Sequence, residues 1–220
     1  MAKLSSRQRG LSIVSLMVGM LLSILGAVSL MTLYRTIVGQ SVQSRQRAAQ
    51  DGGLAAATLS AQMELQNAGY GIGSSAARAA ANTDLVMLSG AALNGSGQLS
   101  GTAVTIASGS TASGNAIVWG SRPATAYECS ALLVQSSGLL LLRASGSCSA
   151  ATQWATLSWT QSAELIPAGG IGSAGATLFR VDKTMCWPYG LGSMSALRVS
   201  LWDDNSAWKT SACLTNIAGS

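Results

Sequence analysis

From Leu11 to Tyr34 the chain offers 24 consecutive positions without a charge. Wound as a helix, that stretch is about 36 Å long, enough to cross a hydrocarbon core of ~30 Å. Beyond it, apolar residues at Val38, Val42, Leu54, Ala57, Ala61, Leu65 and Ala68 keep a partial three-to-four spacing. This predicts that the same helix continues, with one apolar face, to about residue 69. The first proline is Pro123. Gly39 and the Gly52-Gly53 pair weaken the pattern by ~1 kcal/mol each relative to alanine and predict a bend or loosened turn. Gly69 suits a helix C-terminus, because it takes positive φ without a Cβ clash.

After Gly71 the pattern shortens. Apolar runs at Asp84–Leu88, Ala103–Ala107, Ala116–Trp119, Ala131–Gln135, Leu139–Arg143, Trp154–Trp159, Thr177–Val181 and Leu197–Trp202 alternate with Gly/Ser/Asn clusters and read as strands. The clearest hairpin joins Ala131–Gln135 to Leu139–Arg143. Ser89–Ser113, rich in Gly, Ser and Ala, reads as irregular. One long helix followed by strands gives an α+β class, with the helix packed on an antiparallel sheet. The implied divisions are residues 1–10, 11–34, 35–69 and 70–220.

Composition narrows the choices. The 220 residues are 48% hydrophobic and 10% charged, against ~25% charged in ordinary soluble domains. With a mean hydropathy of +0.35, the chain is far from the disordered regime. It has no histidine, which excludes a Ser-His-Asp triad, a Cys-His dyad and any His-bearing metal site. Of the net charge of +5, Lys3, Arg7 and Arg9 supply three. The later basic residues are scattered singly, unlike the clusters that replace phosphate counterions, so no direct nucleic-acid binding is expected. The basic flank ahead of the uncharged span places the N-terminus in the cytoplasm and exports the rest.

All four cysteines, Cys129, Cys148, Cys186 and Cys213, fall in the exported part, where disulfides form. Three pairings are open. Cys129–Cys148 is favoured because the two flank the predicted hairpin nearly symmetrically; Cys186–Cys213 then follows by elimination.

Arg9-Gly10-Leu11 marks an abrupt junction: a short basic leader, a glycine, then Leu-Ser-Ile-Val-Ser-Leu-Met-Val-Gly-Met. The exit from the span, Thr32-Leu33-Tyr34-Arg35, lacks the small-x-small site of an ordinary signal peptide. Leader, glycine and apolar helix together resemble the class III leader of type IV pilins and pseudopilins. In that family a prepilin peptidase cuts after the glycine and N-methylates the new first residue. The resemblance implies cleavage between Gly10 and Leu11 and methylation of Leu11, where the family usually has Phe. A plain single-pass anchor with a basic flank is the simpler alternative. The stretch Gln50-Asp51-Gly52-Gly53-Leu54, leading to Leu59-Ser60-Ala61-Gln62-Met63-Glu64-Leu65-Gln66-Asn67-Ala68-Gly69-Tyr70, is similar to the helix end of PilW-like minor pilins. These matches cover about 60 residues; the rest carries no subfamily motif.

The family has Glu at the fifth position after the cut; here it is Ser15. Cleavage bares a cationic amine that later enters a filament core, where an unpaired charge costs several kcal/mol. By family analogy, the glutamate of an incoming subunit neutralises the amine of the subunit above it. A chain with Ser15 offers nothing upward, so its self-consistent place is the filament tip. A tolerated loss in a rare subunit is the other reading.

The resemblance thus implies a structural, non-enzymatic minor pilin. It would join a tip or priming complex and support adhesion, twitching motility or DNA uptake through the filament. The partners implied are other minor pilins, the major pilin, a tip adhesin, the prepilin peptidase, the inner-membrane assembly platform and inner-membrane lipid. The protein would sit in the bacterial inner membrane and then in the extracellular pilus. A pseudopilin of a type II secretion system shares these features. A rival of another class is a membrane-anchored periplasmic enzyme or binding module.

Other motifs are weak. Ser206-Ala207-Trp208-Lys209 matches S-x-x-K without its companion elements. Gly69-Tyr70-Gly71-Ile72-Gly73 has the wrong spacing for a dinucleotide loop. Asp203-Asp204-Asn205 groups oxygen ligands of the kind calcium takes, but lacks further nearby carboxylates and reads better as a solvated turn. No cofactor is expected. The six tryptophans are expected mostly in the core.

Overall fold

The computed structural model describes residues 13–73, 77–136, 138–168, 179–184, 196–202 and 209–219. The chain divides into two compact units, Met1–Asp51 and Gly52–Ser220.

Helix α1 runs over Ile13–Gln66, beginning in the first unit and ending in the second. In the first unit it is exposed along its described length and contains the one helix window among the described residues long and apolar enough to cross a membrane. Four of its hydroxyls are bonded within the helix. Ser23 donates to the Gly19 carbonyl and Ser29 to that of Leu25, both at 2.8 Å. Thr32 donates to Ser29 at 2.8 Å and Thr36 to Thr32 at 3.0 Å. Such back-bonding leaves those hydroxyls satisfied in a medium without water. The expected interruption at Gly39 or Gly52-Gly53 does not occur: α1 is helical through all three. A glycine raises the helix free energy but removes no backbone hydrogen bond, so a long helix absorbs it.

The second unit contains strands β1 (Ala79–Ala80), β2 (Leu85–Leu93), β3 (Leu99–Val104), β4 (Ala112–Gly114), β5 (Ala116–Ser121) and β6 (Glu128–Gln135). They are followed by β7 (Gly138–Ser145), a 3-10 turn at Ala151–Ala155, β8 (Ser158–Pro167), β9 (Phe179–Thr184), β10 (Ala196–Trp202), β11 (Lys209–Leu214) and β12 (Ile217–Ala218). Six strands form an antiparallel sheet in the order β3-β2-β5-β6-β7-β8, and four form a second, β11-β10-β9-β4. The short β1 and β12 pair in parallel.

Residue alternation assigns the two faces of the large sheet. Leu85, Met87, Ile117, Trp119, Leu132, Val134, Leu139 and Leu141 face a core shared with Ala57, Ala61, Leu65 and Ala68 of the helix end and with Phe179, Val181, Leu197 and Val199 of the smaller sheet. The intervening residues Val86, Leu88, Val118, Ala131, Leu133, Leu140 and Leu142 form a second core with Leu157, Trp159 and the disulfide cysteines. A sheet buried on both faces reads as continuous apolar runs, which is why Ala131–Val134 and Leu139–Leu142 show no polar alternation.

The sheet curls enough to bring its two edges together. Gln98 and Ser158 form an antiparallel bridge, and the Trp159 N–H donates to the Gly97 carbonyl at 2.6 Å. Register shifts between Ser89 and Ala92, and at two places along β7–β8, mark bulges that increase local twist. Meeting edges leave fewer unpaired backbone groups for aggregation.

Three strand expectations need correction; of Ala103–Ala107 only the first two residues are in a strand, at the end of β3. Ser89–Ser113 is largely ordered as β2, β3 and β4; its small residues occupy sheet positions, among them Ala91 and Ala112, both buried. Trp154–Trp159 is not one strand but the 3-10 turn followed by the start of β8. There the Trp159 indole N–H donates to the Trp154 carbonyl at 2.9 Å. The Ala131–Arg143 hairpin is present, with Gln135 opposite Gly138.

Candidate functional site

Gly10 and Leu11, the expected cleavage and methylation positions, lie outside the described residues. Ser15 lies in the first turn of α1 and is exposed, as are its neighbours Ile13, Val14, Leu16 and Met17. The helix therefore presents a small hydroxyl, not a carboxylate, at the fifth position after the expected cut.

The helix end is fixed by its sequence. Helical geometry stops at Gln66, three residues before the expected end, and residues 67–72 form consecutive turns. Ala68 is fully buried in the core. Gly69 has φ +75°, and its N–H donates to the Gly120 carbonyl on β5 at 2.8 Å. The Tyr70 carbonyl then accepts from the Arg122 N–H at 2.7 Å. The Ala-Gly-Tyr run is thus a buried peg, a left-handed turn and a backbone clamp that join the helix end to β5.

Side chains extend this clamp to both sheets. Glu64 pairs with Arg143 of β7 at 2.7 Å, and Arg143 also donates to Ser130 of β6. Gln62 donates to Thr210 and to the Ser211 carbonyl of β11. Asn216 donates to the Gln66 carbonyl at 3.2 Å, and Arg78 reaches the carbonyls of Thr215 and Ile217. The C-terminal segment therefore closes against the helix end.

Inside the sheet, Asn115 is buried and its amide is engaged at both ends. Its oxygen accepts from the Ala91 N–H at 2.7 Å, while its nitrogen donates to the carbonyls of Ala91 at 2.7 Å and Val134 at 3.0 Å. It pins the β2 bulge to β6. Asp84, also buried, accepts from the Tyr127 hydroxyl and from the Ala80 N–H, each at 2.8 Å. Burial of the Tyr127 ring, together with its hydrogen bond to Asp84 and that residue's charge, pushes the phenol well above its ordinary value.

Cys129 and Cys148 are joined, with Cα atoms 5.9 Å apart. The bond closes the open end of the β6–β7 hairpin. Cys213, on β11, is disulfide-bonded; Cys186, the partner expected for it, lies outside the described residues. Beside the Cys129–Cys148 bond is a cleft of about 500 Å³ lined by Tyr127, Glu128, Arg143 and Ser147. Its arginine is already held by Glu64. Among the described residues no cluster of three or more Cys, Asp or Glu is placed to hold a metal. Asp203, Asp204 and Asn205 lie outside the described residues, as do Trp187 and Trp208. Trp119 and Trp159 are core residues.

Sequence reasoning identified both members of this disulfide and set the helix end three residues too late. It missed Asn115 and the Tyr127–Asp84 pair, which stand in no motif. Only the apolar runs around Asn115 hint that its amide must be satisfied inside the protein.

A long N-terminal helix, membrane-spanning by length and hydropathy in its first part, packs its last turns on an antiparallel sheet. The architecture is pilin-like and consistent with the type IV pilin superfamily. Comparison with protein-family models, with curated proteins and with solved structures finds no match.

Proposed function

We propose that this chain is a minor type IV pilin, a non-enzymatic subunit of the complex that primes filament assembly and remains at the tip. One observation carries the reading: the uncharged span that follows a basic leader and Gly10 is the start of the same helix whose end is clamped into the sheet unit. An ordinary signal peptide is discarded. A segment continuous with the folded unit is instead suited to stay and to pass from lipid into a bundle of similar helices.

Peptidase cleavage after Gly10 creates a cationic amine on Leu11. In a filament that amine needs a carboxylate, and a subunit arriving from below supplies one. Ser15 supplies none to a subunit above, so this chain suits the first, topmost position. The sheet unit makes lateral contacts with other minor pilins, the major pilin or an adhesin. A type II secretion pseudopilin would use the same parts.

The test is Ser15→Glu in cells that build filaments, with the protein followed by immunogold labelling on sheared fibres. Wild-type protein labels tips. The variant, still cleaved, appears along the shaft or alters filament number. Tip-only labelling and unchanged piliation in the variant would refute the placement argument.

A further inference from the structure

From Ile13 to Gln50 helix α1 contains no acidic residue, yet it carries Arg35, Arg45 and Arg47. All three are exposed. The two ion pairs among the described residues, Glu64–Arg143 and Asp182–Arg198, involve none of them. Asp51 is the first carboxylate along the helix, and the next, Glu64, is held by Arg143.

At 100° per residue the three guanidiniums point to different sides of the helix, and Arg45 and Arg47 lie about 15 and 18 Å beyond Arg35 along the axis. Any helix packed on this stretch, from any side, meets a cation. Removing a guanidinium from water without a partner is strongly unfavourable, so the neighbour must bring carboxylates. A second copy brings three arginines of its own. A shift of four to six residues sets its Asp51 beside Arg47 or Arg45, but meets only one cation in three. Lipid phosphates reach Arg35 at the end of the span; Arg45 and Arg47 stand beyond the headgroup layer.

We propose that residues 35–50 form a docking surface for helices of other subunits that carry carboxylates over the matching stretch, and that this surface rejects a second copy of the chain. The proposal deepens the filament-subunit reading and rests on it: the chain enters assemblies only beside different, acidic partners.

A charge-inverted copy of the same chain serves as the probe. Full-length wild type and Arg35→Glu/Arg45→Glu/Arg47→Glu are labelled with donor and acceptor dyes in phosphatidylcholine vesicles, and energy transfer is read against salt. The mixed pair is expected to associate at least about tenfold more tightly than either protein with itself at low salt, and to lose that preference near 1 M salt. Arg35→Gln/Arg45→Gln/Arg47→Gln is expected to self-associate more than wild type, because the repulsion is gone. Circular dichroism and an intact Cys129–Cys148 bond verify folding. Equal association of wild type with itself and with the inverted copy would overturn the proposal, as would a preference seen only in phosphatidylglycerol vesicles. Failure of cleavage at Gly10 in cells would instead strike the filament reading and leave this preference standing.

Discussion

Replacing Gly69 with alanine tests whether the helix end is locked as described. The residue has φ +75°, a conformation that costs a side chain roughly 1–2 kcal/mol. An added Cβ would also lie 2.8 Å from Ile217 Cγ1, 3.0 Å from Ala79 Cβ and 3.0 Å from the Asn216 carbonyl oxygen. Ile217 is fully buried, so relief requires moving β12, and overpacking of this kind costs about 1–3 kcal/mol. The total is about 2–5 kcal/mol. For a unit of this size that lowers Tm by roughly 4–20 °C. Tryptophan fluorescence of the detergent-solubilised chain provides the assay, because Trp119 is buried in the same core. Gly52→Ala is the control. Its Cβ would meet nothing within 4 Å, and in a helix interior the change stabilises by about 0.5–1 kcal/mol. The same substitution thus has opposite signs seventeen positions apart. If Gly69→Ala unfolds within about 0.5 kcal/mol of wild type, a scale typical of neutral surface changes, the clamp between helix end and β12 does not exist as drawn.

Three further outcomes follow from the sheet unit. Cys129→Ala/Cys148→Ala opens a loop of sequence separation 19 and should cost about 3 kcal/mol in urea unfolding; an unchanged midpoint would contradict a stabilising role. Asn115→Leu removes three side-chain hydrogen bonds and leaves the Ala91 amide unmet, a loss of about 2–4 kcal/mol, and hydrogen exchange should accelerate first in β2. Tyr127 ionises in the unfolded chain near its ordinary value of ~10 but at higher pH when folded. Its contribution to stability is therefore complete below pH ~10 and falls as pH rises above that, by up to ~1.4 kcal/mol per unit. Tyr127→Phe should flatten this alkaline slope in melts between pH 9 and 11, and an unaltered slope would assign it to other groups.

The parts legible in the sequence were those governed by local rules. A long uncharged run has few options other than a spanning helix, and a flanking cysteine pair marks the hairpin it closes. The Ala-Gly-Tyr run announces a helix end through its glycine, but not the three-residue difference, because turns 67–72 are set by hydrogen bonds to Gly120 on a distant strand and to Arg122 just beyond it. Ser89–Ser113 was misread for a related reason. Its small residues have weak strand propensity, yet pairing of β2 with β3 and of β4 with β9 gives them a sheet geometry that propensity does not predict. Trp154 and Trp159 look like strand residues by type; the indole of one bonds the backbone of the other and turns the chain between them. Glycines at 39, 52 and 53 looked like weak points, but tolerance there is a matter of small increments in a long helix.

The central claim is that the greasy N-terminal helix is trimmed and retained. Intact-mass and N-terminal analysis of the protein extracted from membranes of a filament-building host tests it directly. The account predicts a chain that begins at methylated Leu11 and carries everything beyond it. A chain that still begins at Met1, or one that starts beyond Tyr34, would contradict it.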